Sequence, residues 1–301
     1  MDRRSFLCQS ASLVPAALWA GSHTPDFAAP RPIQRTGGPK LKLSCNLYSF
    51  NQPLRHGGMS LEEVIDFCAG LGFDAVDPTG YYFPGYPSPP ALEFINRIKR
   101  RAFLQGLEIS GTGIRNDFTQ ADEKLRQADL DLAHQWCGVA AQLGAPLLRV
   151  FSGKGVPEER NRLETTEWVV SALKKCCEFG QGEGILIALQ NHADFIQTSD
   201  QLLEVVERVD SEWFGVHLDI GSFSSADPYA EISRCAPFAV TWQIKENVRP
   251  NGREEKTDLK RLWEIVRKAR YRGYLPLETL GEGDPRQKVP RFLEEVRNTL
   301  G

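Results

Sequence analysis

The sequence predicts a single (β/α)₈ TIM barrel, and three observations carry that prediction. Short aliphatic and β-branched runs alternate with longer amphipathic stretches from Leu41 to Leu300, the pattern of a parallel sheet with helices between its strands. The runs number eight, the repeat of a closed barrel of roughly 250 residues. No glycine-rich phosphate turn follows the first run, which removes the main support for an open, doubly wound sheet.

The chain begins with MDRRSFL, a short apolar stretch and small residues, so residues 1–29 read as a twin-arginine export signal, with cleavage after Ser22 or Ala29. That reading places the mature protein in the periplasm or elsewhere outside the cytoplasm. The apolar stretch is too short to span a bilayer comfortably, and nothing later reaches the length of a membrane helix. Residues 30–40, rich in Pro and Gly, read as a linker, and 41–301 as the barrel. Formal net charge is −3, so no basic field gathers nucleic acid or anionic lipid. Of seven cysteines, Cys8 lies in the signal, and Cys68, Cys137, Cys176 and Cys177 fall in expected helices as small buried apolar residues. No CxxC or Cys/His cluster points to zinc. The sequence leaves the oligomeric state open.

The expected strands are LKLSCNLYSF, FDAVDPTG, LEISGTGI, PLLRVFSG, ILIALQNH, FGVHLDIGSF, AVTWQIKE and YLPLETLG. A helix follows the first in SLEEVIDFCAGLG, where Ser60 and Glu63 have capping-box spacing and apolar residues recur every three or four positions. Further helices are expected over 91–105, 121–143, 158–179, 199–209, 259–270 and 285–300, with a short one over 228–235.

Barrel active sites form at the C-terminal ends of strands. Four consecutive strands end in oxygen-bearing side chains, Gln190, Asp219, Gln243 and Glu278. At one level of a closed barrel these converge. Two carboxylates and two amide oxygens can hold one hard divalent ion; the other reading is a metal-free polar core in which they hydrogen-bond one another.

In IALQNHADF, VHLDIGSF, QIKENV and YLPLETLG, and in the strand-helix order from about Leu41 to Leu300, the chain resembles the xylose isomerase-like sugar isomerases and epimerases. The resemblance implies a TIM barrel with a divalent ion, often manganese, on a Glu, an Asp, a His and a Glu of strands five to eight. Asp219 and Glu278 match its carboxylates. Gln190 stands where the family has Glu, Gln243 where it has His, and Ser222 where many relatives have His. With one charge fewer and no imidazole, the set suits Mn²⁺ or Mg²⁺ better than zinc and binds it more weakly. The resemblance also implies two opposed glutamate bases; an amide at 190 leaves Glu278 as the single candidate.

Around this set, His192 reads as a catalytic acid or substrate donor, or as a group orienting Gln190. Lys245 reads as a catalytic cation on a substrate oxygen or beside Glu278, or as a structural ion pair. Arg149 and Glu246 are candidate substrate contacts, and Tyr81 and Tyr82 of GYYFPGYPSPP a candidate sugar-stacking wall. Asp77 reads as a supporting residue and His217 as a satisfied core histidine. The expected function is isomerisation or epimerisation of a non-phosphorylated carbohydrate or polyol through a metal-stabilised enediolate. A lyase or hydratase on a keto sugar and an inactive carbohydrate-binding barrel are the alternatives.

Overall fold

Eight parallel strand positions form the wall of the barrel: β1 Lys40–Asn46, β2 Ala75–Asp77, β3 Glu108–Ile109 resumed at Thr112–Gly113, β4 Leu147–Phe151, β5 Leu186–Gln190, β6 Phe214–Asp219, β7 Ala239–Lys245 and β8 Arg272–Glu278. The computed structural model describes residues 31–192 and 194–300, so the expected export signal lies outside the described residues. Pairing runs β1 to β2, then to the first half of β3, and from its second half through β4, β5, β6, β7 and β8 back to β1. Because β3 is split, the sheet has nine segments, and a bridge between Thr79 and Gly113 spans the break. A Cβ at Gly111 would sit 2.7 Å from Leu147 Cδ1, so a larger residue there would have to displace that side chain.

The helices lie where the apolar periodicity puts them, with ends set by caps. Ser60 and Glu63 form the reciprocal capping box of the Leu61–Gly70 helix. Where 158–179 was expected, the helix is Arg162–Glu183. Asn161 caps its N-terminus, Glu159 has a left-handed φ of 64° that a helix excludes, and Gly184 ends it in the left-handed region. The remaining α-helices are a short one after β1, Asn51–Arg55, and Leu92–Leu104, Glu123–Leu143, Ser199–Val209, Pro228–Cys235, Leu259–Lys268 and Pro285–Leu300. Their apolar faces bury Trp136, Trp263, Val169, Leu202 and Phe292, and the burial of such area from water is the main stabilising force of the fold.

Two stretches differ from the sequence reading. The part of the expected linker that is described packs on the N-terminal end of the barrel: Ile33 N–H donates to Pro237 O at 3.0 Å, the Arg35 guanidinium lies 5.2 Å from the Tyr271 ring centre, and Arg272 donates to Gly38 O at 2.6 Å. Beyond β7, Asn247–Val248 and Glu255–Lys256 pair as a small antiparallel hairpin beside the mouth. All six cysteines of the described residues are buried thiols. Among those residues no helix is long and apolar enough to cross a membrane.

Candidate active site at the barrel mouth

Strand alternation makes the inside of this barrel polar. Inward positions carry Ser44 and Asn46 on β1, Asp77 on β2, Arg149 on β4, Gln190 on β5, His217 and Asp219 on β6, Thr241 and Gln243 on β7 and Glu278 on β8, and all are buried. Such a core is tolerable only when its groups satisfy one another. The register brings them level: Gln190 pairs with His217, Asp219 with Gln243, and Glu278 with Lys245.

Arg149 lies at the centre. Its Nη1 donates to Gln190 Oε1 at 3.3 Å and to Gln243 Oε1 at 3.2 Å, and its Nη2 to Thr79 Oγ1 at 3.4 Å. Each amide then turns its NH₂ to a carboxylate: Gln190 Nε2 donates to Asp219 Oδ2 at 2.8 Å, and Gln243 Nε2 to Glu278 Oε2 at 2.6 Å. These partners fix the amide orientation, because a guanidinium can only donate and a carboxylate only accept. Gln243 Oε1 also accepts from Asn46 at 3.2 Å and from His217 Nε2 at 2.8 Å. Asn191 clamps the Asp219 backbone, donating to its O at 2.9 Å and accepting from its N–H at 2.8 Å.

Lys245 lies between the two carboxylates, 2.9 Å from Asp219 Oδ2 and 3.3 Å from Glu278 Oε2. Burial alone would lower the Lys245 ammonium, but the paired carboxylates outweigh it and hold it above its usual range. It is therefore a fixed cation, not a free amine. Burial would raise Asp219, and Lys245 with the Gln190 and Gly221 donors pulls it below the usual carboxylate range. Burial raises Glu278, against the pull of Lys245. The same desolvation raises Asp77, whose Oδ1 has no partner, and Arg149 opposes it. His217 is pushed down to about 3 by burial and by Arg149, with its Nδ1 unpartnered, so it is neutral and donates through Nε2.

The strand-end set thus comes together as a hydrogen-bonded network. A divalent ion on Gln190, Asp219, Gln243 and Glu278 would need both amide oxygens and both carboxylates facing one point. Here the amide oxygens face Arg149, and an ammonium lies between the carboxylates; the donor set in this arrangement does not fit an ion. Among the described residues no three His, Cys, Asp or Glu side chains group as metal ligands.

Above the network, a cavity of about 140 Å³ is lined by Gly221, Lys245, Glu246, Asn247, Arg249, Glu254, Glu278, Leu280 and Gly281. Glu246 reaches its wall and pairs with Lys288 at 3.4 Å. His192 is not in the cluster. β5 ends at Gln190, so strand alternation no longer directs residue 192 inward; it packs edge-on against Phe151 and pairs with Asp194 at 2.8 Å, its side chain 48% exposed. Arg149 is 3% exposed and supports the floor of the site. Tyr81 is edge-on to Tyr48, Tyr82 and Tyr86, while Tyr82 donates to Asn51 Oδ1 at 2.8 Å, so the aromatic loop is a packed rim. The sequence reading missed Asn46, Thr79 and Asn191. Each ends or follows a strand, and that position was their only signal.

The sequence profile described as the xylose isomerase-like TIM barrel matches residues 65–297. No curated protein matches the sequence. Among solved structures, the chain is similar to D-psicose 3-epimerase from Clostridium cellulolyticum H10 with D-tagatose, at 15% identity and a TM-score of 0.72 over 86% of this chain and 99% of that one. It is similar to 3-keto-D-glucoside 4-epimerase from E. coli, at 15% identity and a TM-score of 0.71 over 86% and 100%. An L-ribulose 3-epimerase gives 17% identity and a TM-score of 0.71 over 86% and 94%. At these identities the likeness is one of fold.

Proposed function

We start from the fact that the chain belongs to the xylose isomerase-like TIM barrel family, and propose that it is an isomerase or epimerase acting on a non-phosphorylated carbohydrate or polyol. The observation that carries the proposal is Glu278, a carboxylate only 3% exposed yet on the wall of the mouth cavity. Burial makes it a stronger base than a solvated carboxylate. Its Oε2 is engaged by Gln243 and Lys245, which leaves Oε1 for a substrate.

A sugar that presents the C–H beside its carbonyl to Oε1 passes that proton to Glu278. The C–H electron pair becomes the C=C bond of an enediolate, and the carbonyl π pair moves to oxygen. Return of the proton to the neighbouring carbon, as the hydroxyl proton passes from the oxygen that becomes the new carbonyl to the oxygen that was the old one, completes an aldose–ketose interconversion with a single carbon base. A one-base cycle suits this site because Gln190 neither takes nor returns a proton. A carbohydrate without phosphate is favoured because the sequence has no glycine-rich phosphate cradle.

The test is carbon-bound deuterium uptake from D₂O by a panel of free aldoses, ketoses and keto sugars. Deuterium gain without loss of mass as water is the expected result, with a loss of about 10²–10⁴-fold in Glu278→Gln, the usual weight of a general base. Loss of water would replace this reading with a lyase. Sugar binding without exchange would replace it with a carbohydrate-binding barrel.

A further inference from the structure

We infer that the Lys245 ammonium stands in the place of a divalent ion, so that this barrel carries its own cation and has no need of a metal. The inference deepens the proposed function and rests on it only for what the cation does to substrate, not for where the cation is.

Three observations place it. The Nζ lies between the two strand-end carboxylates, at 2.9 and 3.3 Å, which is the point an ion shared by Asp219 and Glu278 would occupy. The amides at 190 and 243 turn nitrogen, not oxygen, to those carboxylates, so each carboxylate oxygen facing Nζ already has a second donor. The stem of the lysine also has a built seat: a Cβ at Gly221 would lie 2.6 Å from Lys245 Cδ, and the Gly221 N–H donates to Asp219 Oδ1 at 2.9 Å. Residue 221 thus holds the carboxylate and leaves room for the chain that neutralises it.

The charges follow the same logic. Relative to a three-charge ion site, Gln190 removes one negative charge, and the two carboxylates that remain face Lys245, with the Arg149 guanidinium on the amide oxygens behind them. Two fixed cations face these two carboxylates, with Asp77 a third buried carboxyl beside Arg149 that desolvation pushes toward its neutral form. An ammonium has three N–H donors; two are accounted for by Asp219 and Glu278, and Lys245 lines the cavity. Its third N–H is the donor available to a substrate carbonyl or hydroxyl oxygen, where positive charge stabilises a developing oxyanion.

The experiment is a Mn²⁺ titration by calorimetry, with metal analysis after dialysis, on the full chain and on Lys245→Met, which keeps most of the stem and removes the charge. The expected result is no stoichiometric Mn²⁺ in the parent, and in Lys245→Met a gain in affinity of at least about tenfold, equivalent to ~1.4 kcal/mol. The gain should disappear in Lys245→Met combined with Asp219→Asn. Stoichiometric Mn²⁺ in the parent overturns the inference whether or not the variant folds. A folded Lys245→Met, verified by circular dichroism, that takes up no more Mn²⁺ than the parent also overturns it. Neither readout depends on turnover, so an inactive protein that behaves as expected here counts against the proposed reaction and not against the resident cation.

Discussion

Gln190 and Asp219 are joined by a hydrogen bond of 2.8 Å from the amide Nε2 to the carboxylate Oδ2, and this bond answers why an amide stands at the end of β5. The position has to accept from Arg149 on one side and donate to Asp219 on the other. An amide does both at every pH, whereas an ionised glutamate cannot donate and would set a second carboxylate against Asp219.

The substitution Gln190→Glu, which restores the residue type of the resemblance, is therefore expected to destabilise the fold. Losing a donor to a buried carboxylate costs about 1–3 kcal/mol at neutral pH. Burial and the adjoining Asp219 carboxylate raise the new carboxyl in the folded state above its unfolded value, against the pull of the Arg149 guanidinium. Such a group favours folding below its unfolded pKa, and that contribution is lost as pH rises through the folded pKa. The deficit against the parent should thus narrow toward pH 4. Urea denaturation of both proteins at pH 7 and pH 4 checks this, and a deficit independent of pH would contradict it.

Much of this site was legible before the fold was known. Asp219, Gln243 and Glu278 end apolar runs, and barrel closure brings such ends together whatever their distance in sequence. What was not legible was direction. A sequence gives Gln243 an oxygen and a nitrogen without saying which faces Glu278, and that depends on Arg149 arriving from β4. Lys245 was seen as a cation near Glu278, but its second contact with Asp219 depends on the room left by Gly221. For His192, the place beside Gln190 that its expected roles need was not met, because the strand ends at Gln190 and its alternation does not carry two residues further. In β3 the run LEISGTGI was visible, but not its interruption at Ser110 and Gly111.

A second prediction concerns the rim. A Cβ at Gly80 would lie 2.6 Å from Trp136 Cζ3 and 2.8 Å from Gly113 O, the first a large ring already packed against Phe83 and Tyr86. Gly80→Ala must displace the ring or the Gly80–Tyr82 turn, an overpacking cost of about 1–3 kcal/mol. Because that turn carries Tyr81, the variant is expected to show weaker sugar binding along with a lower melting temperature. Calorimetric titration with whichever sugar exchanges deuterium separates the two effects. Unchanged affinity in a destabilised variant would mean that the rim carrying Tyr81 and Tyr82 takes no part in sugar binding.

The third prediction uses His217 as a reporter of how dry the network is. Burial and the nearby Arg149 push its imidazole down to about 3, against about 6.5 in an unfolded chain. Between those values the unfolded state binds the proton and the folded state does not, so stability rises with pH across the window and is lost as pH falls below about 6.5. One such group contributes about 2 kcal/mol of lost stability between pH 7 and pH 5. His217→Gln keeps a donor toward Gln243 Oε1 and does not titrate, so its stability should fall less than the parent's over that interval by about this amount. Chemical denaturation at several pH values reads the difference directly. Parallel curves for the two proteins would mean that water reaches Nδ1, and that the floor of the site is wetter than the closed network of Arg149, Gln243 and Asn46 implies.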